Sequence, residues 1–451
     1  MSEHVILLSV PGLRVGDISA EATPTLHRWA SDGAVATLVP TFPCVTSPVQ
    51  ASMLTGTPPA EHGVIANGFY HRDRREVEFW VAEHDIIQRP TIWEIIRRRR
   101  PDLRSAVWHA QNIKRCPADF IVTPAPIHDA DGTTRLWCYS KPEGLYQTLL
   151  DEFGHFPLQH YWGPLANIES TRWTIQAACR LIERQAPNFH YIYIPHLDYA
   201  AQKFGPDSEP ARQSLAAMDA ELATLDAFVA DSPLADDVVY LAASEYAMTP
   251  VTGAIFPNRA LREAGLLKTH STDDGEVIDF AASDAFAMVD HQFAHVYAKR
   301  DKIESAADVL RRLDGLDAVY VGRDRQAVGL DHPRCGEILL ISSDDRWLAY
   351  YWWFNDADAP PFARTVDIHR KPGYDPVEQF WDRQANGVPL DASLVRGSHG
   401  VPATEPRHAG AFVCSRPTDA LGDNVRLRDV DVQAITLRLL GIAPETAPGR
   451  P

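Results

Sequence analysis

The chain alternates short apolar runs with longer amphipathic stretches. His4–Val10, HVILLSV, is apolar and β-branched at nearly every position, the pattern of a strand covered on both faces of a parallel sheet. Leu103–His109, Phe189–Pro195 and Asp237–Ala243 repeat that pattern. Between them, Thr23–Asp32, Thr91–Arg99, Thr171–Arg184, Leu215–Val229 and, near the end, Val430–Leu440 carry apolar residues at helical spacing. Pro24 starts the first helix and Gly33 closes it, while Ile175, Ala178, Cys179 and Ile182 mark one face of the third. The strands end in polar or turn-forming clusters: Pro11-Gly12, His196–Lys203, Ser244-Glu245-Tyr246. Strand–helix alternation of this kind predicts an α/β fold, a doubly wound and mostly parallel sheet sandwiched by helices. Its carboxyl edge should gather the ligand-binding residues.

The pattern changes from about Gly253 to Ser393. Val296–Ala298, a helix around Ala306–Leu313, Ala318–Val321 and the hairpin-like pair Glu337–Ser342 with Trp347–Trp353 predict a smaller α+β insertion. The core is therefore expected over 1–252 and 394–451, with the insertion over 253–393. Residues 116–164 mix polar, aromatic, Pro and Gly positions and predict loops with one short helix. Gly441–Pro451 is proline-rich and is expected to fray.

Composition narrows the function classes. With 45% hydrophobic residues in 451, the chain can bury a large core. A formal net charge of −17, from 60 acidic and 43 basic residues, argues against a nucleic-acid polymer as partner. It leaves a small phosphorylated ligand open, because charge inside a cleft is set locally. The six cysteines stand singly, without metal-knuckle spacing, so neither a disulfide framework nor a cysteine zinc site is expected. No stretch approaches the ~18 consecutive apolar residues of a membrane span, and the N-terminus enters a strand without a basic leader. Those features predict a cytoplasmic protein with no membrane partner.

Candidate chemistry concentrates in Pro40–Tyr70, PTFPCVTSPVQASMLTGTPPAEHGVIANGFY. Phe42-Pro43 imposes an extended approach, Ser47-Pro48 suits a first helical turn, and Thr55-Gly56 supplies a stop. Thr46 is thus placed at a helix N-terminus, where unpaired amides and the dipole favour an anion. An N-capping role alone would also account for a threonine or serine here. The wording TFP-x-x-T-x-P, then LTG-x-x-P-x-x-HG-[IV]-x-x-N, resembles the nucleotide pyrophosphatase/phosphodiesterase branch of the alkaline phosphatase superfamily. So does the helix at Thr23–Gly33, and the insertion resembles that family's lid. The resemblance implies an alkaline-phosphatase-like fold, with Thr46 as nucleophile and Asn67 on the phosphoryl oxygen.

The same resemblance implies two metal ions roughly 4 Å apart, held by three aspartates and three histidines at strand ends. Here four of those six positions are altered. Ser9 stands for the first aspartate, and Gln202 for the histidine after Asp198. Glu245 and Tyr246 replace an aspartate–histidine pair, while Asp198 and His399 remain. The expectation is one divalent ion, zinc by its donor types, on Asp198 and His399 with help from the Gln202 carbonyl. His196, two residues before Asp198 on a strand end so that both side chains can point to one side, the run Ala287–His295, where Asp290, His291 and His295 alternate suitably as one strand, or Asp367–Pro376 with His369 could fill the gap. Arg14, Lys203 or Lys371 could instead meet the phosphate as cations. Two functions follow: a metal-dependent hydrolase of a phosphodiester, pyrophosphate or related phosphoester, or a divergent member that binds a phosphorylated metabolite without turning it over. The oligomeric state is not legible.

Overall fold

A computed structural model of the chain describes residues 4–128, 134–272, 275–419, 421 and 426–443. The core is built from β1 (His4–Ser9), β2 (Ala34–Val39), β3 (Ser105–Trp108), β4 (Phe120–Pro124), β5 (Cys138–Lys141), β6 (Phe189–Tyr193) and β7 (Val238–Ala243). A second group comprises β8 (Ala285–Asp290), β9 (Phe293–Ala298), β10 (Leu316–Val321) and β11 (Ile338–Ser342). The chain then returns through β12 (Gly410–Cys414) and β13 (Arg426–Arg428). The main sheet has nine strands in the order β13-β2-β12-β7-β1-β6-β3-β4-β5. Its centre, from β7 to β4, is parallel. β12 and β5 join it antiparallel.

β1 lies at the middle of this sheet because each of its residues is buried, which two covered faces require. Ser9 is paired with Tyr193 on one side and Ala243 on the other, so the carboxyl ends of β1, β6 and β7 stop together. Three segments leave that edge side by side: Val10-Pro11-Gly12, the chain entering His196, and Ser244-Glu245-Tyr246. Gly410 allows β12 to pass Ser244, where a Cβ would have no room. Apolar clusters on the two faces of the sheet meet the surrounding helices. A third apolar cluster lies around β8–β11, which form a four-stranded antiparallel sheet of their own.

Three local expectations are corrected. The polar cluster after β6 is not a loop but a helix, His196–Phe204, whose polar residues look inward. His196 and Asp198 therefore diverge by roughly 200° around the helix axis instead of sharing one side. Asp198 and Gln202, four apart, share a face. The run Ala287–His295 is two strands, not one: β8 turns at His291, with φ of 60°, into β9. Glu337–Ser342 and Trp347–Trp353 do not form a hairpin, because Arg346–Leu348 pairs in parallel with Gly253–Ile255. Residues 444–451 of the expected frayed end lie outside the described residues. Among the described residues no helix is long and apolar enough to cross a membrane.

Candidate active site

Helix α1, Thr46–Thr55, begins on an extended Val45 and ends at Gly56, whose φ of 65° lets the chain turn. All of its residues but the cap are buried, so its N-terminus opens inside the protein at the sheet's carboxyl edge. Thr46 Oγ1 lies 3.2 Å from the Tyr246 hydroxyl, which donates to Asp198 Oδ2 at 2.8 Å. Ser9 Oγ and Gln50 Nε2 both donate to Glu245 Oε1, at 2.7 and 2.8 Å. The nearby Thr46 hydroxyl also acts to lower the pKa of the Glu245 carboxyl. Gln50 was not legible as a site residue, although its place one turn beyond Thr46 puts it on the same helical face.

Asn67 bridges the helix start and the insertion. Its Oδ1 accepts from Ser47 N at 2.9 Å, while its backbone N and Nδ2 donate to Asp290 at 2.8 and 3.1 Å. Asp290 Oδ1 is also 2.7 Å from His291 Nδ1. His291 lies between His399 and Tyr374, with ring centroids 3.8 and 3.6 Å away, and His399 stacks on Tyr246 at 3.5 Å. A column of four rings thus runs from the core into the insertion. Tyr374 then donates to Gln202 Oε1 at 2.7 Å, where Gln379 Nε2 also donates at 3.0 Å. Tyr374 sat unremarked inside the dense Asp367–Pro376 loop.

Contacts therefore link Thr46, Asn67, Asp198, Gln202, Glu245, Asp290, His291 and His399. His369 is not among them; it is exposed in its turn. His196 and His295 are buried in other company, His295 beside the Ile65 carbonyl. The candidate cations are committed elsewhere. Arg14 pairs with Asp17 and Asp207, Lys203 donates to the Gln379 carbonyl, and buried Lys371 sits between Asp375 and Glu378.

Burial dominates the electrostatics. It lifts Glu245 from 4.5 to about 8 against the donors Ser9 and Gln50, and Asp198 from 3.8 to about 7 against Tyr246. Asp290 rises to about 7 despite its bonds from Asn67. Among the described residues, Glu245 Oε2 and Asp198 Oδ1 are buried and meet no hydrogen-bond partner. Folded Glu245 keeps its proton between pH 4.5 and about 8, where an unfolded chain releases it. Its contribution to stability is thus complete below pH 4.5 and disappears as pH rises through about 8. Urea unfolding of Glu245→Gln should therefore lose up to about 1.4 kcal/mol per pH unit of the wild-type decline between roughly pH 5 and 7.5. An identical slope in both proteins would show that Glu245 titrates ordinarily.

The donor set decides what metal this edge can hold. The family's second position does not fit an ion: Ser9 and Glu245 are bonded to each other, and the Tyr246 phenol lies between Thr46 and Asp198. At the first position two atoms remain suited. His399 Nδ1 meets the Cys44 carbonyl at 2.8 Å, which leaves Nε2 as a buried, unpartnered lone pair, and Asp198 Oδ1 is unpartnered too. The Gln202 carbonyl, already accepting twice, is no third donor. Among the described residues no group of three or more His, Cys, Asp or Glu side chains is arranged to hold an ion.

The sequence profile of type I phosphodiesterases and nucleotide pyrophosphatases matches residues 5–375, which includes Thr46, Asn67, Asp198 and Glu245. The chain belongs to this family. A curated relative, an uncharacterized pyrophosphatase/phosphodiesterase of Schizosaccharomyces pombe, is 23% identical over 212 residues, 45% of this chain. The chain spans 36% of that relative's length. Murine ectonucleotide pyrophosphatase/phosphodiesterase 5 superposes with a TM-score of 0.64 at 14% identity, over 99% of this chain and 97% of that one. Phosphonoacetate hydrolase from Sinorhizobium meliloti 1021, solved with phosphonoformate, gives 0.61 at 18% identity, over 98% and 96%. These likenesses establish the alkaline-phosphatase-like fold of this phosphodiesterase family member, and family membership supports a phosphoester hydrolase. The family's members are metal-dependent.

Proposed function

We propose that this chain hydrolyses a small phosphodiester, pyrophosphate or related phosphoester with Thr46 as the nucleophile. The observation that carries this reading is the Thr46 hydroxyl, held at a buried helix N-terminus beside both Glu245 and Tyr246. An inactive threonine-to-alanine form of the murine relative, captured with AMP, is in keeping with such a role.

In this reading the ionised form of Glu245, the minor form at pH 7 for a carboxyl with a pKa of about 8, takes the Thr46 proton as Oγ attacks phosphorus, and the P–O bond to the leaving alkoxide breaks, that oxygen taking a proton from water. Tyr246 holds the Thr46 oxygen in place and is itself anchored on Asp198. Asn67, its carbonyl turned to Ser47 N, keeps an Nδ2 hydrogen for a phosphoryl oxygen. Water then attacks phosphorus and the P–O bond to Thr46 breaks, Glu245 returning its proton to Thr46 Oγ while the water's proton passes to solvent. One zinc ion, if bound, would be held by Asp198 and His399, and its chemistry is polarisation of a phosphoryl oxygen. Residues 253–393 act as a lid over a core of 1–252 and 394–451, a reading supported by the bonds that Asn67 donates to Asp290 and that Gln292 N donates to the His399 carbonyl.

The second reading, a phosphoester binder without turnover, is favoured by the ring column Tyr246–His399–His291–Tyr374, which occupies space beside Thr46. Elemental analysis of protein purified without chelators, paired with a phosphoester panel, separates the two. The hydrolase reading expects turnover of at least one diester, at most one zinc equivalent, and loss of that zinc in Asp198→Ala. Two equivalents, or one that survives Asp198→Ala, would contradict the ligand assignment. Tight AMP binding with no turnover anywhere on the panel would favour the binder.

A further inference from the structure

A second cleft lies in the insertion and shares no lining residue with the Thr46 site. It encloses about 560 Å³ between Phe256, Arg259, Tyr351 and Phe354, with Asp356 and Asp391 on its rim. That volume falls in the range of small-molecule sites. Three aromatic rings, Phe256, Tyr351 and Phe354, stand in its lining among small and polar side chains. Phe354 is 53% exposed, an uncommon placement for so large an apolar side chain.

Arg259 is the chemically informative residue. Its guanidinium carbon sits 4.3 Å from the Phe256 ring centroid and 5.9 Å from that of Tyr351. Its Nε donates to the Trp353 carbonyl at 2.6 Å. Among the described residues, its terminal nitrogens meet no carboxylate within ion-pair distance. Asp356 and Glu263 act on it without pairing with it, and Asp356 Oδ1 accepts instead from Trp353 Nε1 at 3.1 Å. Asp391 is likewise turned to the Ser393 amide and hydroxyl. Half-buried, the guanidinium carries a desolvation penalty that lowers its pKa, and the charges of Asp356 and Glu263 offset it only in part. Tyr351 is buried against the same cleft with its hydroxyl unpartnered.

We propose that this cleft binds a planar aromatic carboxylate. The ring would lie against Phe256, Tyr351 and Phe354, and the carboxylate would take the fork of Arg259 in a charge-assisted pair. A monoanion is favoured over a phosphate dianion because two rim carboxylates, and a chain of net charge −17, repel the second charge. The proposal is independent of the hydrolase reading, since neither uses the other's residues.

Isothermal titration with 2-naphthoate tests it. Wild type should bind one equivalent saturably, 2-naphthylmethanol at least about tenfold more weakly, and Arg259→Gln should weaken naphthoate by at least about tenfold. Phe354→Ala, an exposed change that spares the core, should weaken both probes. Equal affinity for the acid and the alcohol would remove the guanidinium from the site, whatever Arg259→Gln does to folding. No saturation by about 5 mM naphthoate, or unaltered binding in Phe354→Ala, would overturn the proposal.

Discussion

Replacing Thr46 by alanine is expected to abolish turnover of a nitrophenyl phosphodiester, by at least about 10³-fold, while the fold survives. The loss is large because no neighbouring group can form the covalent intermediate: Ser9 is bonded to Glu245, and the Tyr246 phenol to Asp198. The fold survives because Tyr246 keeps its bond to Asp198, so the stability cost is one buried hydrogen bond, about 1 kcal/mol. Asn67→Ala should cost less, on the order of 10²–10³ in rate, the size for one oxyanion donor. Steady-state rates and a urea melt on the same preparations read both effects. If wild type and Thr46→Ala are equally slow on every phosphoester yet bind AMP alike, the nucleophile assignment fails.

Restoring the family's ligands is expected to act in the opposite direction. Ser9→Asp, Gln202→His, Glu245→Asp and Tyr246→His together should raise zinc content to two equivalents and diester turnover on the order of 10²–10³-fold. Metal stabilisation of transition-state charge contributes several kcal/mol. The four changes depend on one another. Ser9→Asp alone sets a carboxylate against Glu245 in place of the hydroxyl that donates to it, and should destabilise. Tyr246→His alone removes the phenol from Asp198 and the ring from His399. Zinc content that stays at one would mean that the ring column had reshaped the edge beyond repair by ligand exchange. Two equivalents without acceleration would mean that metal charge does not limit the reaction.

Much of the scaffold was legible because buried parallel strands write themselves as apolar runs. His4–Val10 is observed as His4–Ser9, Phe189–Pro195 as Phe189–Tyr193 and Asp237–Ala243 as Val238–Ala243. β2, β12 and β13 were not anticipated, nor were β4 and β5, which lie in the stretch 116–164 expected to form loops and one short helix. β2 is only half-covered at alternate positions and lies toward one edge, and Arg426–Arg428 is too short to show a period. The helix His196–Phe204 was hidden because it is short, follows the strand almost directly and mixes buried His196, Asp198 and Gln202 with buried Leu197, Tyr199 and Ala201.

Local order along the chain determined that this is an α/β phosphodiesterase-family protein, that Thr46 begins a helix, and that four of the family's six ligand positions carry other residues. Those features follow from spacing, turn residues and side-chain type, all of which are properties of neighbours in sequence. Only the tertiary structure decided what the exchanged residues do. Ser9, Gln50 and Glu245 close on one another, Tyr246 ties Thr46 to Asp198, and His291 enters from the insertion to stack on His399. These contacts join residues up to 236 positions apart, and hydrogen-bond direction, ring stacking and burial exist only once strands β1, β6 and β7 end at a common edge.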